Sequence, residues 1–185
     1  MPADEVLADT RLWIERAVIG LNLCPFAKAV YVHDRIRYAV SEAESAEALL
    51  DDLEREMKLL AAASAREIDT TLLIHPRVLG VFLDYNDFLG VADNALARLG
   101  LEGVLQIASF HPAYQFAGTS PDDVTNCTNR SPFPMLHLLR EESIERAISG
   151  APEAEDIYQR NAETLRRLGV SGWEIVAGTK RSSRS

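Results

Sequence analysis

Two apolar runs of the same design constrain this chain more than anything else in it: "TTLLIHP" (Thr70–Pro76) and "GVLQIASFHP" (Gly103–Pro112). Each is almost continuously apolar and each ends on His followed by Pro. Strands covered by helices on both faces read this way, because neither parity of side chains meets water, and the Pro then stops ladder pairing. Between the runs, "DYNDFLGVADNALARLG" carries Phe88, Ala92, Ala95, Leu96 and Leu99 at helical spacing and closes on Gly100. Upstream, "RIRYAV" alternates Arg35, Ile36, Arg37 and Tyr38, which predicts a strand with one wetter face, near a sheet edge. Ser45 precedes a helix in which Ala46, Leu49, Leu50, Leu53, Met57, Leu60 and Ala61 share a face opposite Asp51, Asp52, Glu54, Arg55 and Lys58. Strand, helix, strand, helix, strand implies parallel pairing through right-handed crossovers. The expected fold is a small three-layer α/β domain with a short, mostly parallel sheet.

The flanks are read as helical. Val6, Thr10, Trp13, Ile14, Ala17, Val18 and Leu21 predict an amphipathic helix over 4–20 closed by Gly20, and "NLCPFAK" breaks the pattern at Pro25. The C-terminal third reads as helices: "PMLHLLRE" with "SIERAIS", then "PEAEDIYQRNAETLRRLG" with Ile157, Asn161, Leu165 and Leu168 inward and Pro152 near the first turn. "GWEIV" reads as a last edge strand. The 185 residues are expected to form one α/β domain over 1–178, with 179–185 a disordered basic tail containing Lys180, Arg181 and Arg184.

Charge and composition narrow the function classes. A net charge of -9 and a pI near 4.9 leave no basic stripe with which to displace counterions from phosphates, so no nucleic-acid partner is expected. No run approaches the length needed to span a bilayer, so no membrane partner is expected either. Asp4, Glu5, Asp9 and Glu15 replace the positive lead of a secretory signal, and Cys24 and Cys127 read as reduced thiols. A cytoplasmic location is the expectation. Dinucleotide, P-loop and serine-hydrolase glycine motifs are missing.

In open parallel sheets ligands bind beyond the carboxyl ends of the strands. His75 and His111 occupy equivalent places on the two runs, so both imidazoles are expected to face one crevice. The segment leaving the second run, "FHPAYQFAGTSPDDVTNCTNRSPFP" (Phe110–Pro134), is rich in polar chemistry and fits no regular period. Read as a binding wall, it supplies Asp122 and Asp123 to orient an imidazole or hold metal. Arg130 with Asn129 would clamp an anion, and Asn126, Tyr114 and Thr119 would contact ligand. Read structurally, "SPDD" and "SPFP" are two helix starts with Ser at the N-cap and Pro at N1, and the Asn residues hold turns. A metal version recruits Cys24, His75, His111 and His137 around zinc or iron, with Glu141 four residues after His137 on a predicted helix.

The ordered set "NLCPFA", "TTLLIHP", "LDYNDFL", "QIASFHPAYQFAGT", "PDD", "TNRSPFP" and "LHLLRE" resembles the bacterial domain-of-unknown-function 1415 family from about Thr10 to Val176, with Cys24 in the family's "CPF" stretch. The resemblance implies no reaction and no catalytic residue. Two function classes therefore stand. One is an enzyme acting on a small anionic molecule, with His111 or His75 as general acid/base and Asp122 or Asp123 in support. The other is a non-catalytic small-ligand-binding or protein-interaction module in which Phe110, Tyr114, Phe116 and Phe133 line an apolar pocket. The residues do not fix an oligomeric state.

Overall fold

A computed structural model of the chain describes residues 1–148 and 154–178. Helix α1 (Ala3–Trp13) runs on through a π-helical stretch, Ile14–Ile19, and is followed by α2 (Ala27–Val32). Then come β1 (Ile36–Val40), α3 (Ala46–Ala62), β2 (Thr70–Ile74), α4 (Phe82–Arg98) and β3 (Leu105–Phe110). A 3₁₀-helix (Val124–Asn129), β4 (Met135–Arg140), α5 (Glu141–Ile148) and α6 (Ala154–Val176) complete the described order. Ser45 caps α3 by accepting a hydrogen bond from the Ala48 amide, and Gly100 follows α4 with φ +68°, as a left-handed helix stop requires. At Gly20 the backbone is helical instead. Glycine is required there because a Cβ would stand 2.2 Å from the Arg16 carbonyl oxygen.

The sheet is mixed, in the order β1-β2-β4-β3. β1 and β2 pair in parallel, with Ile36 opposite Thr70, while β4 lies antiparallel between β2 and β3. Three of the four strands point the same way, yet only one of the three pairings is parallel, which corrects the expectation of a mostly parallel sheet. The cause is "MLHLLR", expected as helix and found as the inserted strand. A six-residue segment whose four apolar residues divide between both faces has no diagnostic period, and Pro134 and the start of α5 limit it to strand length. His137 is therefore not on a helix with Glu141. "SPFP" likewise leads into β4 and not into a helix, and Asp123, not Ser120, caps the 3₁₀-helix. "GWEIV" lies inside α6, not in a strand, where the chain kinks at Gly169 (φ 71°). Pro152 and the 179–185 segment lie outside the described residues.

Two apolar layers flank the sheet. On one face Leu73, Leu136 and Leu138 pack against Leu49, Leu53, Met57 and Leu60 of α3 and Tyr85, Phe88 and Ala92 of α4. On the other, Leu72, Ile74 and Met135 meet Val6, Trp13 and Ile14 and, from α6, Leu165 and Trp173. This is the expected three-layer arrangement. Arg140, at the end of β4, is buried and fixes one corner: its guanidinium donates to Leu60 O and Ala63 O at 2.6 Å and to Ile68 O at 3.1 Å. A cation on the Leu60 and Ala63 carbonyls at the end of α3 is the charge a helix C-terminus favours.

Candidate functional site

β2 and β3 both run antiparallel to β4, so they end on the same edge of the sheet, with β4 beginning between them. His75 and His111 are the first residues beyond those ends. The His75 amide donates to Pro134 O (3.0 Å) and the His111 amide to Asn129 O (3.2 Å), so the returning chain closes the edge. The inserted strand does not separate the two imidazoles from a common partner. Tyr85 of α4 reaches up beside them, with ring centroids 5.8 Å from His75 and 5.1 Å from His111. Its hydroxyl donates to Met135 O (2.9 Å) and accepts from the Phe110 amide (3.0 Å), bridging the last β3–β4 residue pair.

Both imidazoles are buried and neutral, His111 by its two partners and His75 by its desolvation. His75 Nδ1 lies 3.0 Å from Val78 O and His111 Nε2 lies 3.1 Å from Leu79 O; a carbonyl only accepts, so each of these nitrogens carries the hydrogen. His111 Nδ1 accepts from the Ala113 amide at 3.0 Å. His75 Nε2 is buried and has no hydrogen-bond partner among the described residues. Desolvation drives the His75 pKa down to about 4 and lowers that of His111 as well. The geometry is that of a latch on the Val78–Leu79 corner, where Leu79 sits at φ 57°.

His137 lies elsewhere. Strand alternation puts Met135, His137 and Leu139 on the α1/α6 side of the sheet, where the His137 ring stands 6.0 Å from that of Phe110. Thr70 Oγ1 donates to Leu138 O (2.6 Å), so it accepts from His137 Nε2 at 2.7 Å, and burial lowers the His137 pKa to about 4. Cys24 sits in the turn before α2, partly exposed. Among the described residues no three His, Cys, Asp or Glu side chains come together as a metal would need, so the set Cys24, His75, His111 and His137 is not assembled. The physical reason is the strand at 135–140, which puts His137 on the opposite face from His75.

The Phe110–Pro134 segment satisfies its own polar groups. Asn126, fully buried, accepts from the Phe116 amide (2.9 Å), contacts Thr119 Oγ1 (2.8 Å) and donates to Ser120 O (2.8 Å). Asn129 donates to Ser109 O (3.0 Å), and Arg130 to Tyr114 O (3.3 Å) and Pro121 O (2.7 Å). Asp123 accepts from the Thr125 amide and hydroxyl, and these bonds lower its carboxyl pKa. Asp122 is exposed. Tyr114 stacks edge-on between Phe82 (5.3 Å) and Phe116 (5.0 Å), and Phe116 reaches Tyr158 of α6 (5.9 Å). Phe110 packs on Trp13 at 5.5 Å.

Open space lies on the same edge, on the α1/α6 side. A cleft of about 460 Å³ is walled by Ala8 and Leu12 of α1, by Pro132 and Phe133, and by Ala177 and Gly178 after α6, with Glu5 and Asp9 on its α1 side. Of the aromatic residues expected to line a pocket, Phe133 alone borders this cleft. Glu5 and Asp9 carry no local motif, and only the packing of α1 against the 132–133 turn reveals them. Among the described residues that line it there is no lysine or arginine.

No curated protein and no solved structure matches the chain. A family profile described as "Protein of unknown function (DUF1415)" matches residues 5–175 of the 185. The chain belongs to the DUF1415 family, proteins of unknown function.

Proposed function

We propose that this protein is a non-catalytic binding module that seats a small ligand in the cleft between α1, Pro132–Phe133 and the end of α6. The observation that carries the reading is a division of labour on one sheet edge. The polar side chains that would perform chemistry are engaged with backbone: both nitrogens of His111, Asn126, Asn129, Arg130 and Asp123. The cleft, by contrast, offers an apolar wall with two carboxylates. Such a site favours a ligand with an apolar body and a basic group over the anion the sequence evoked.

The test is amide chemical-shift mapping with phenethylamine and with its carboxylate counterpart, hydrocinnamate, at matched ionic strength. The amine is expected to move the amides of Ala8, Leu12 and Phe133 and the carboxylate to leave them in place. Silence with both, or a response to the carboxylate alone, sinks the reading. Acid/base catalysis keeps one observation in its favour, the unpartnered Nε2 of His75. Its burial removes it from substrate unless the Val78–Leu79 corner opens.

A further inference from the structure

The two lateral margins of the sheet are finished differently. The outer margin of β3 is covered by Asn129, whose carbonyl accepts from the His111 amide (3.2 Å) and whose side-chain amide donates to Ser109 O (3.0 Å). β1 has no such cover. Its ladder with β2 runs from Arg35 O, which accepts from the Thr70 amide, to the Ser41 amide, which donates to Ile74 O at 2.8 Å. Parallel pairing alternates, so Arg35, Arg37, Ala39 and Ser41 turn their backbone groups toward β2, and Ile36, Tyr38 and Val40 turn theirs outward. Among the described residues those outward groups have no hydrogen-bond partner, which leaves a template for another strand. We propose that a second copy of this chain adds to the sheet here, β1 against β1, antiparallel about a twofold axis at Tyr38.

Register and charge select this occupant. A pairing centred on Tyr38 engages all three outward residues, with Ile36 opposite Val40 of the second copy and Tyr38 opposite its equivalent. A centre one residue to either side carries one of the three past the end of the ladder. β-branched and aromatic residues facing one another suit cross-strand pairs. Arg37 does not meet its like: it comes opposite Ala39 of the second copy, and its guanidinium is already neutralised by Glu56 at 2.7 and 3.1 Å. Arg35, which enters no ion pair among the described residues, comes opposite Ser41 of the second copy. The Ser41 hydroxyl donates to Asp52 at 2.6 Å, so each Arg35 arrives beside a carboxylate, once in each direction across the axis. On the other face Asp34 comes opposite Glu42 of the second copy, at a pocket that Arg11 also lines and whose cation offsets the two acids. So short a pairing predicts a weak, micromolar dimer.

Sedimentation velocity on the full chain, over a concentration series reaching the millimolar range, tests the pairing. Hydrogen exchange of the Tyr38 and Val40 amides is read on the same samples. Dimer should form as concentration rises, and both amides should slow with it. Val40→Pro removes an outward donor and spares the β2 ladder, a place where edge strands accept Pro, and should weaken the dimer about tenfold. Charge reversal keeps the test decisive if that variant fails to fold. Arg35→Glu alone and Asp52→Arg alone should each weaken association about three- to tenfold, and the double variant should restore it, because the same pair then meets with its signs exchanged. A chain that stays monomeric throughout overturns the proposal. So does a dimer whose Tyr38 and Val40 amides exchange as fast as in the monomer, or one that both single reversals leave unchanged.

Discussion

His75 and His111, thirty-six positions apart in sequence, donate hydrogen bonds to the consecutive carbonyls of Val78 and Leu79. Two strand ends on either side of β4 are thereby clamped to one corner, and Tyr85, in ring contact with both imidazoles, ties that corner to the β3–β4 ladder. Equivalent sequence positions do mark equivalent places in the fold. Their chemistry is spent holding the edge together.

Tyr85→Phe should be costly although it removes one atom. Met135 O and the Phe110 amide would lose a buried partner, for an expected loss of about 1–3 kcal/mol. In a protein of this size that lowers the midpoint by roughly 2–4 °C per kcal/mol. Thermal unfolding followed by circular dichroism checks it, and an unchanged midpoint would mean that the hydroxyl bridge contributes nothing.

Stability should fall as acid titrates the buried imidazoles. His75 and His137 are held down to about 4 from an ordinary 6.5. Between those values the unfolded chain takes up protons that the folded chain does not, so stability is present above about pH 6.5 and is lost as pH falls toward 4. From pH 7 to pH 5 the expected loss is about 2 kcal/mol per imidazole. His75→Asn keeps a donor for Val78 O and His137→Gln keeps one for Thr70, while neither titrates. Urea unfolding at both pH values should show a flatter dependence in each variant, and parallel slopes would refute the assignment.

Arg140→Met should detach the end of α3. The substitution leaves Leu60 O, Ala63 O and Ile68 O without their donor, for an expected loss of about 2–4 kcal/mol. Arg140→Lys should recover only part of this, since one ammonium lacks the planar fork that meets several carbonyls at once. Urea midpoints at unchanged m-value are the measure, and full recovery by Lys would show that charge alone suffices.

Asn126→Ala should loosen the 111–134 segment selectively. Its amide holds Phe116, Thr119 and Ser120 together from a fully buried position. Hydrogen exchange of the Phe116 amide should accelerate by at least tenfold while that of Leu73, in the centre of the sheet, follows only global unfolding. Equal acceleration at both sites would show that the segment is not a separate stapled unit.

Much of the architecture is legible in the sequence. Leu49, Leu53, Met57 and Leu60 define the inner face of α3, Phe88, Ala92, Ala95 and Leu96 that of α4, and both His-Pro strands are found where their apolar runs lie. Local periodicity suffices for such elements because they are long or sharply bounded. The reading failed at "MLHLLR", whose two apolar faces erase the period. One wrong element carried two further errors with it, a mostly parallel sheet and a helical His137–Glu141 couple.

The candidate site divides in the same way. Sequence alone determined that His75 and His111 are equivalent strand-end positions, that an irregular polar segment follows the second, and that Asn and Asp in such a segment are able to hold turns, because strand ends and turn chemistry are local properties. Tertiary structure alone decided that β4 enters between the two strands and that His137 faces the other layer. It also decided that Asn126, Asn129 and Arg130 turn inward to backbone carbonyls, and that Glu5 and Asp9 meet Phe133 across a cleft. Which face a side chain meets, and which distant backbone atom it reaches, follows from strand order and helix packing, and no local pattern encodes either.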